Sequence, residues 1–251
     1  MGPARLTYPA TLYAALHRGN AGDLAFYRTV CEAANSVLEL GCGYGRVLAA
    51  LDDVVEQRWG LDQHEGLLAL AAARAGGSHL VRADMRTFEV SRRFDRILIP
   101  YNGLYCLLTD EDIQACLAAV KRHLNPQGQL IFDVYPYDGP PTDEELESMR
   151  EPVPIVEIND EDVQCVVYES VEFDAASECA EVTYRYVPKD GTAPVDASIA
   201  QRALDEQAIA THLARAGFQI ERWFDGFAVT AQEDAANIDD TDQWVIVAVE
   251  V

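Results

Sequence analysis

The sequence predicts an α/β fold: a seven-stranded, mostly parallel sheet with helices on both faces, interrupted late by an antiparallel β insertion. Three observations predict it. Short apolar runs alternate with segments of helical period through residue 134. A glycine cluster lies between the first apolar run and the helix after it. Beyond residue 138, three runs rich in β-branched and aromatic residues follow one another with no helix between them. Alternation of the first kind builds a parallel sheet with its crossovers packed on both sides; uninterrupted strands pair antiparallel.

Taken in order, residues 21–34 have helical apolar spacing, and SVLEL (36–40) is a short strand ending in GCGYG. RVLAALDD (46–53) reads as a helix, VVEQRWGLD (54–62) as a second strand, and residues 64–75 as a helix closed by Gly76-Gly77. HLVRAD (79–84) and FDRILIP (94–100) are the third and fourth strands, the latter stopped by Pro100. Thr109 can N-cap the next helix, which stops at Asn125-Pro126, and GQLIFDV (128–134) is the fifth strand. Residues 136–149 hold prolines and an acidic cluster. The three β runs then cover 153–158, 163–173 and 178–187. A helix at 206–216 ends at Gly217, and residues 219–227 and 243–251 supply the last two strands of the main sheet. The domain plan is a helical arm at 1–35, a core made of 36–137 and 201–251, and an inserted β segment at 138–200.

The formal charge of −23 is unevenly placed: residues 141–251 carry 26 acids against 6 bases. Such a surface repels phosphate backbones, so nucleic acid is not an expected partner. The acidic half is either a solvated face or an attractor of cationic or amine substrates. No apolar run reaches the roughly 18–20 residues of a membrane span, and the N-terminus lacks the apolar stretch of a signal peptide. The six cysteines form no C-x-x-C pair, so no metal site is expected, and buried thiols in a reducing, cytoplasmic setting fit best.

Glu39-Leu-Gly41-Cys-Gly43-Tyr-Gly45 sits between strand and helix, where glycines let the backbone turn tightly and approach a ligand. Arg46 stands where G-x-G-x-x-G would have its third glycine, which weighs against a dinucleotide oxidoreductase. Asp62 closes the second strand, where a carboxylate can take both hydroxyls of a ribose. Asp84 can accept from an adenine amino group while Met85 packs on the ring.

With these motifs in this order, the chain resembles the class I S-adenosylmethionine-dependent methyltransferases of small-molecule type, which have a Rossmann-like sheet. VLELGCGYGRVL, GLD, RADM and FDRILIPYNGLYCLL through HLNPQGQLIFDV match that family's successive motifs, and residues 203–227 its final helix and strand. The resemblance implies S-adenosylmethionine as cofactor, S-adenosylhomocysteine as product and a small-molecule methyl acceptor. It puts Gly41, Gly43 and Gly45 around the methionine half, Glu39 at its end, Asp62 and Gln63 at the ribose, and Asp84 and Met85 at the adenine. Tyr8 and Tyr13 lie in a segment similar to the family's cofactor-covering arm. Tyr101 and Asn102 fall where the family places groups near the methyl, and I-P-Y-N departs from the N-P-P-Y type used on adenine or glutamine.

Candidates for the chemistry are Tyr101, Asn102 and Tyr135 at the rim of the sheet, with Tyr137 and Asp133 beside them, and His123 as a general base. The rim tyrosines and Asn102 are neutral at pH 7 and orient a nucleophile without adding positive charge beside a sulfonium. Together with the acidic second half, they favour an acceptor that carries an amine. The insertion is expected to form a lid or a dimer contact. The alternatives are a non-catalytic module of the same fold and a protein methyltransferase.

Overall fold

A computed structural model describes residues 8–228 and 243–251; the first seven residues of the N-terminal arm lie outside them. The chain divides into two compact units.

The larger unit comprises residues 19–137 and the described part of 204–251. It holds a seven-stranded sheet made from β1 (Ser36–Leu40), β2 (Gln57–Asp62), β3 (His79–Arg82), β4 (Phe94–Ile99), β5 (Leu124–Val134), β10 (Phe218–Asp225) and β11 (Trp244–Glu250). Their spatial order is β10-β11-β5-β4-β1-β2-β3. Strands β3 to β5 pair in parallel, and β11 runs antiparallel to both its neighbours. All five residues of β1 and the Ile97–Ile99 end of β4 are buried, which is why these strands read as unbroken apolar runs rather than alternating ones. Helices α2 (Asp23–Cys31), α3 (Arg46–Ala50) and α4 (Glu65–Arg74) pack in one series, while α5 (Asp110–His123) packs on α7 (Glu206–Ala216).

Local signals set the helix ends. Thr109 accepts the Asp112 N–H at 3.1 Å, with Asp110, Glu111 and Asp112 in the first turn of α5 and Lys121, Arg122 and His123 in the last, matching the helix dipole. Gly217 ends α7 in the left-handed conformation, φ 78°.

The smaller unit joins residues 8–18 to 138–203. Strands β6 (Val153–Asn159), β7 (Gln164–Asp174), β8 (Cys179–Pro188) and β9 (Val195–Arg202) form an antiparallel sheet in that order. Helix α1 (Ala10–Leu16) lays Leu12, Tyr13 and Leu16 against its buried face around Tyr8, Cys165, Val167 and Tyr186.

The structure adds to the sequence reading in three places. The arm expected at 1–35 is not one element: α1 belongs to the smaller unit, whereas α2 buries Phe26, Tyr27 and Cys31 in the core of the larger. The insertion has a fourth strand, β9, whose half-exposed residues gave a weak apolar signal. The acidic segment after residue 140 forms α6 (Asp143–Arg150), started by a capping box in which Thr142 and Glu145 bond each other's backbone. Among the described residues no helix is long and apolar enough to cross a membrane.

Candidate cofactor and methyl-transfer site

Strand order reverses at β1: β2 and β3 lie to one side of it, β4 and β5 to the other. In open parallel sheets ligands settle beyond the carboxyl ends of the strands at such a switch point. The loop after β1 carries the glycines and the loop after β4 carries Tyr101 and Asn102, so the two loops flank this crevice.

Gly41, Gly43 and Gly45 all have left-handed φ, at 69°, 51° and 76°. Their tasks differ. A Cβ on Gly41 would lie 3.5 Å from the Met85 methyl, which brings Met85 beside the loop. The Gly43 N–H donates to Asp62 Oδ2 at 2.9 Å. Gly45 is a packing glycine: a Cβ there would come within 3.0 Å of the Ala71 methyl and 3.1 Å of its backbone. Gly60, which sequence reasoning missed, lets β2 pass under the loop, where a Cβ would press on Leu48 at 2.5 Å and Cys42 at 2.8 Å.

Two carboxylates face this loop. Glu39 is 3% exposed and accepts the Leu48 N–H at 3.2 Å. Burial pushes its carboxyl up to about 8, against the pull of Arg46. Arg46 itself is held by a bidentate, nearly buried pair with Asp23 at 2.9 and 2.6 Å. Asp62 accepts from Gly43 through one oxygen and from the His64 N–H at 2.7 Å through the other. Burial raises its carboxyl, and these backbone donors oppose the rise. The Gln63 N–H is a third backbone donor to this carboxylate. Gln63 is exposed and gives its carbonyl to Arg82.

Asp84 lies two residues beyond the end of β3 and is gripped by Arg86, from Nη2 at 2.6 Å and Nε at 3.0 Å, which holds its carboxyl below the usual range. Arg86 also reaches Asp112 at 2.8 Å. Any adenine contact by Asp84 must therefore use its remaining acceptor capacity.

Tyr101 and Asn102 both have positive φ, 56° and 59°, a costly conformation for residues with a Cβ. The neighbouring end of β5 holds them. Both oxygens of Asp133 accept the Tyr101 N–H at 2.9 Å, the Asp133 carbonyl accepts the Asn102 N–H at 3.2 Å, and Asn102 Oδ1 accepts the Tyr135 N–H at 2.7 Å. Tyr27 on α2 completes the latch by donating its hydroxyl to Asp133 at 2.5 Å. Tyr135 is half-buried, its hydroxyl pushed up to about 12 by burial, and it packs edge-on to Tyr105.

One candidate falls elsewhere. His123 ends α5 at the opposite, amino edge of the sheet. It is 3% exposed and stacks on Phe88, and its two nitrogens bond the Ala119 carbonyl and the Val90 N–H. Both nitrogens are committed, so it is not available as a general base for the rim. Tyr13 belongs to the smaller unit, with its ring 4.3 Å from that of His17.

Residues 37–128, from β1 into the start of β5, match the sequence model of the family described as a methyltransferase domain. By that match residues 37–128 carry the sequence of a methyltransferase domain. Two Streptomyces relatives are similar to it. The dTDP-3-amino-3,4,6-trideoxy-alpha-D-glucopyranose N,N-dimethyltransferase of Streptomyces venezuelae is 29% identical over 118 residues, 47% of this chain and 50% of that protein. The dTDP-3-amino-3,6-dideoxy-alpha-D-glucopyranose N,N-dimethyltransferase of Streptomyces fradiae is 30% identical over 132 residues, 49% and 52% of the two chains. The alignments thus span about half the length of these relatives. Among solved structures, an amino pentose methyltransferase of calicheamicin biosynthesis from Micromonospora echinaspora superposes with a TM-score of 0.74 at 19% identity, covering 98% of both chains. An S-adenosylmethionine-dependent methyltransferase from Clostridium acetobutylicum gives 0.73 at 19% identity, over 95% of this chain and 96% of its own. These likenesses extend the fold of the methyltransferase domain over nearly the whole chain.

Proposed function

We propose that the protein transfers a methyl group from S-adenosylmethionine to the nitrogen of a small amine-bearing acceptor. The observation that carries this reading is the convergence of Glu39, the left-handed glycine loop, Asp62 and Met85 at the β1–β4 switch point. These groups fit the cofactor's parts. Glu39 is a buried carboxyl positioned for an ammonium, Asp62 closes the strand where a carboxylate can take ribose hydroxyls, and the Met85 thioether offers an apolar, polarisable contact to an adenine ring. When bound, the cofactor would supply a sulfonium methyl electrophilic enough for an amine lone pair to attack, with S-adenosylhomocysteine as the leaving group.

The chain's own contribution is placement. Asp133, Tyr27 and Asn102 fix the rim loop, and Tyr101 and Tyr135 present neutral hydrogen-bonding groups to an incoming nucleophile. No general base is assigned, because an amine that arrives unprotonated needs none. The amine acceptor is supported by the two Streptomyces relatives, both N,N-dimethyltransferases of 3-amino sugar nucleotides, and by the acidic composition of residues 141–251. The smaller unit is read as the acceptor-recognition part.

Incubating the protein with deuteromethyl-labelled S-adenosylmethionine and a panel of amines, phenols and carboxylates, followed by mass spectrometry, tests this. Label should appear on nitrogen; label only on oxygen, or on no compound, contradicts it.

A further inference from the structure

The glycine loop and the rim loop leave different strands, yet one helix holds both. Helix α2 buries Asp23 and Tyr27, four residues apart, so their side chains leave the same face one turn, roughly 6 Å, apart. Asp23 pairs with Arg46, the first residue of α3, directly after Gly45. Tyr27 donates to Asp133 at the end of β5, whose carboxylate accepts the Tyr101 N–H. The loop after β1 and the loop after β4 are therefore joined through a single turn of helix.

The joint is stiff. Asp23 meets the guanidinium of Arg46 with both oxygens, at 2.9 and 2.6 Å, and one of them also accepts the Asn20 N–H at 3.1 Å. The Gly19 backbone lies against the guanidinium, where a Cβ would collide with its central carbon. Between the two contacts, Phe26 packs edge-on to Phe224 at 5.3 Å and Phe227 at 5.9 Å. In a close-packed core, α2 cannot turn or slide without repacking these rings. The charges of the pair also reach the rim: burial raises the Tyr101 hydroxyl, Arg46 opposes that rise and Asp23 adds to it.

Stability alone gives no reason for this arrangement. A buried ion pair recovers little beyond its own desolvation cost, and apolar residues of similar volume often serve as well. Tyr101 and Asn102, by contrast, keep a left-handed backbone that persists only while the surroundings enforce it.

We propose that Asp23, Tyr27 and Arg46 are positioning residues that couple the two loops, so that cofactor binding at the glycine loop orders the rim that presents Tyr101. This rests on the reading of the glycine loop as the S-adenosylmethionine site. Such coupling is reciprocal, so an ordered rim also favours the cofactor.

The test uses the full chain and needs no acceptor. Amide hydrogen exchange of residues 100–107 is followed by mass spectrometry with and without saturating S-adenosylhomocysteine. The proteins are wild type, Asp23→Asn, Tyr27→Phe and Arg46→Lys, and calorimetry gives the affinity of each for the ligand. In wild type the ligand should slow exchange of this segment by about fivefold or more. Asp23→Asn and Tyr27→Phe should still bind it and keep its protection of residues 41–48, but lose most of the slowing at 100–107. Arg46→Lys, which keeps the charge, should retain part of that slowing. A helix that only stabilised the fold would, when weakened, speed exchange with and without ligand alike and leave their ratio unchanged. Tyr27→Phe removes a single hydroxyl and decides the matter alone if Asp23→Asn does not fold. An unchanged ratio in either folded variant, or a wild type that binds ligand without slowing at 100–107, overturns the coupling and leaves the cofactor reading standing. A wild type that binds no S-adenosylhomocysteine overturns the cofactor reading and the coupling with it.

Discussion

Tyr27 and Asp133, 106 residues apart in sequence, share a buried hydrogen bond of 2.5 Å that anchors the rim of the candidate methyl-transfer site. Asp133 is 1% exposed, and burial pushes its carboxyl up to about 6 even though Tyr27 and the Tyr101 N–H bond it. Tyr27→Phe removes a donor from a buried carboxylate and should cost about 1–3 kcal/mol of stability, read by urea unfolding. It should also lower the transfer rate more than it weakens cofactor binding, because it loosens Tyr101 rather than the glycine loop. Unchanged rate and stability would show that the latch is idle.

Two buried acids with raised pKa make stability depend on pH in a definite direction. An acid whose folded pKa exceeds its unfolded value keeps its proton longer in the fold, so stability falls as pH rises between the two. For Asp133 the window runs from about 4 to about 6, and for Glu39 from about 4.5 to about 8. Without cofactor, the midpoint of urea unfolding should drop from pH 5 to pH 8, and Glu39→Gln should flatten the upper part of that drop. A rise over the same range in wild type contradicts the raised values.

Cofactor binding should then release a proton. A ligand ammonium beside Glu39 favours its ionised form, pulling the carboxyl down from about 8. Calorimetry at pH 7 in two buffers of different ionisation enthalpy should show net proton release for wild type and much less for Glu39→Gln. Equal release from both would place the ammonium elsewhere.

His123→Ala should reduce stability and leave the transfer rate of the folded enzyme within a few-fold of wild type. The ring is buried against Phe88 and bonds the Ala119 carbonyl and the Val90 N–H, so its loss opens a cavity and strands polar groups. A rate loss of three orders of magnitude with normal folding would restore general-base catalysis.

What the sequence disclosed follows from how local each signal is. The glycine loop, Asp62 at a strand end and the Thr109 cap are short-range patterns, and the structure places them as read. The Tyr27–Asp133 bond and the Asp23–Arg46 pair join residues that only the fold brings together, so no spacing announces them. Gly60 sits inside a strand, and its reason is a neighbour across the α3 contact. The Thr142–Glu145 capping box was legible as T-x-x-E, but the prolines before it masked the helix. His123 looked catalytic because histidine suits proton transfer; helix direction, which carries it to the far edge of the sheet, decided otherwise.

The most direct measurement is a calorimetric titration of the full chain and its Asp62→Ala variant with S-adenosylmethionine and S-adenosylhomocysteine, with a nicotinamide dinucleotide as control. Wild type should bind both adenosyl ligands and not the dinucleotide. Asp62→Ala should lose about 1.5–3 kcal/mol, roughly ten- to a hundredfold in affinity, because a carboxylate that accepts from the ribose and tethers the Gly43 N–H is gone. No heat with either adenosyl ligand at millimolar concentration, or a folded Asp62→Ala protein that binds as wild type does, would contradict the assignment of this crevice as the cofactor site.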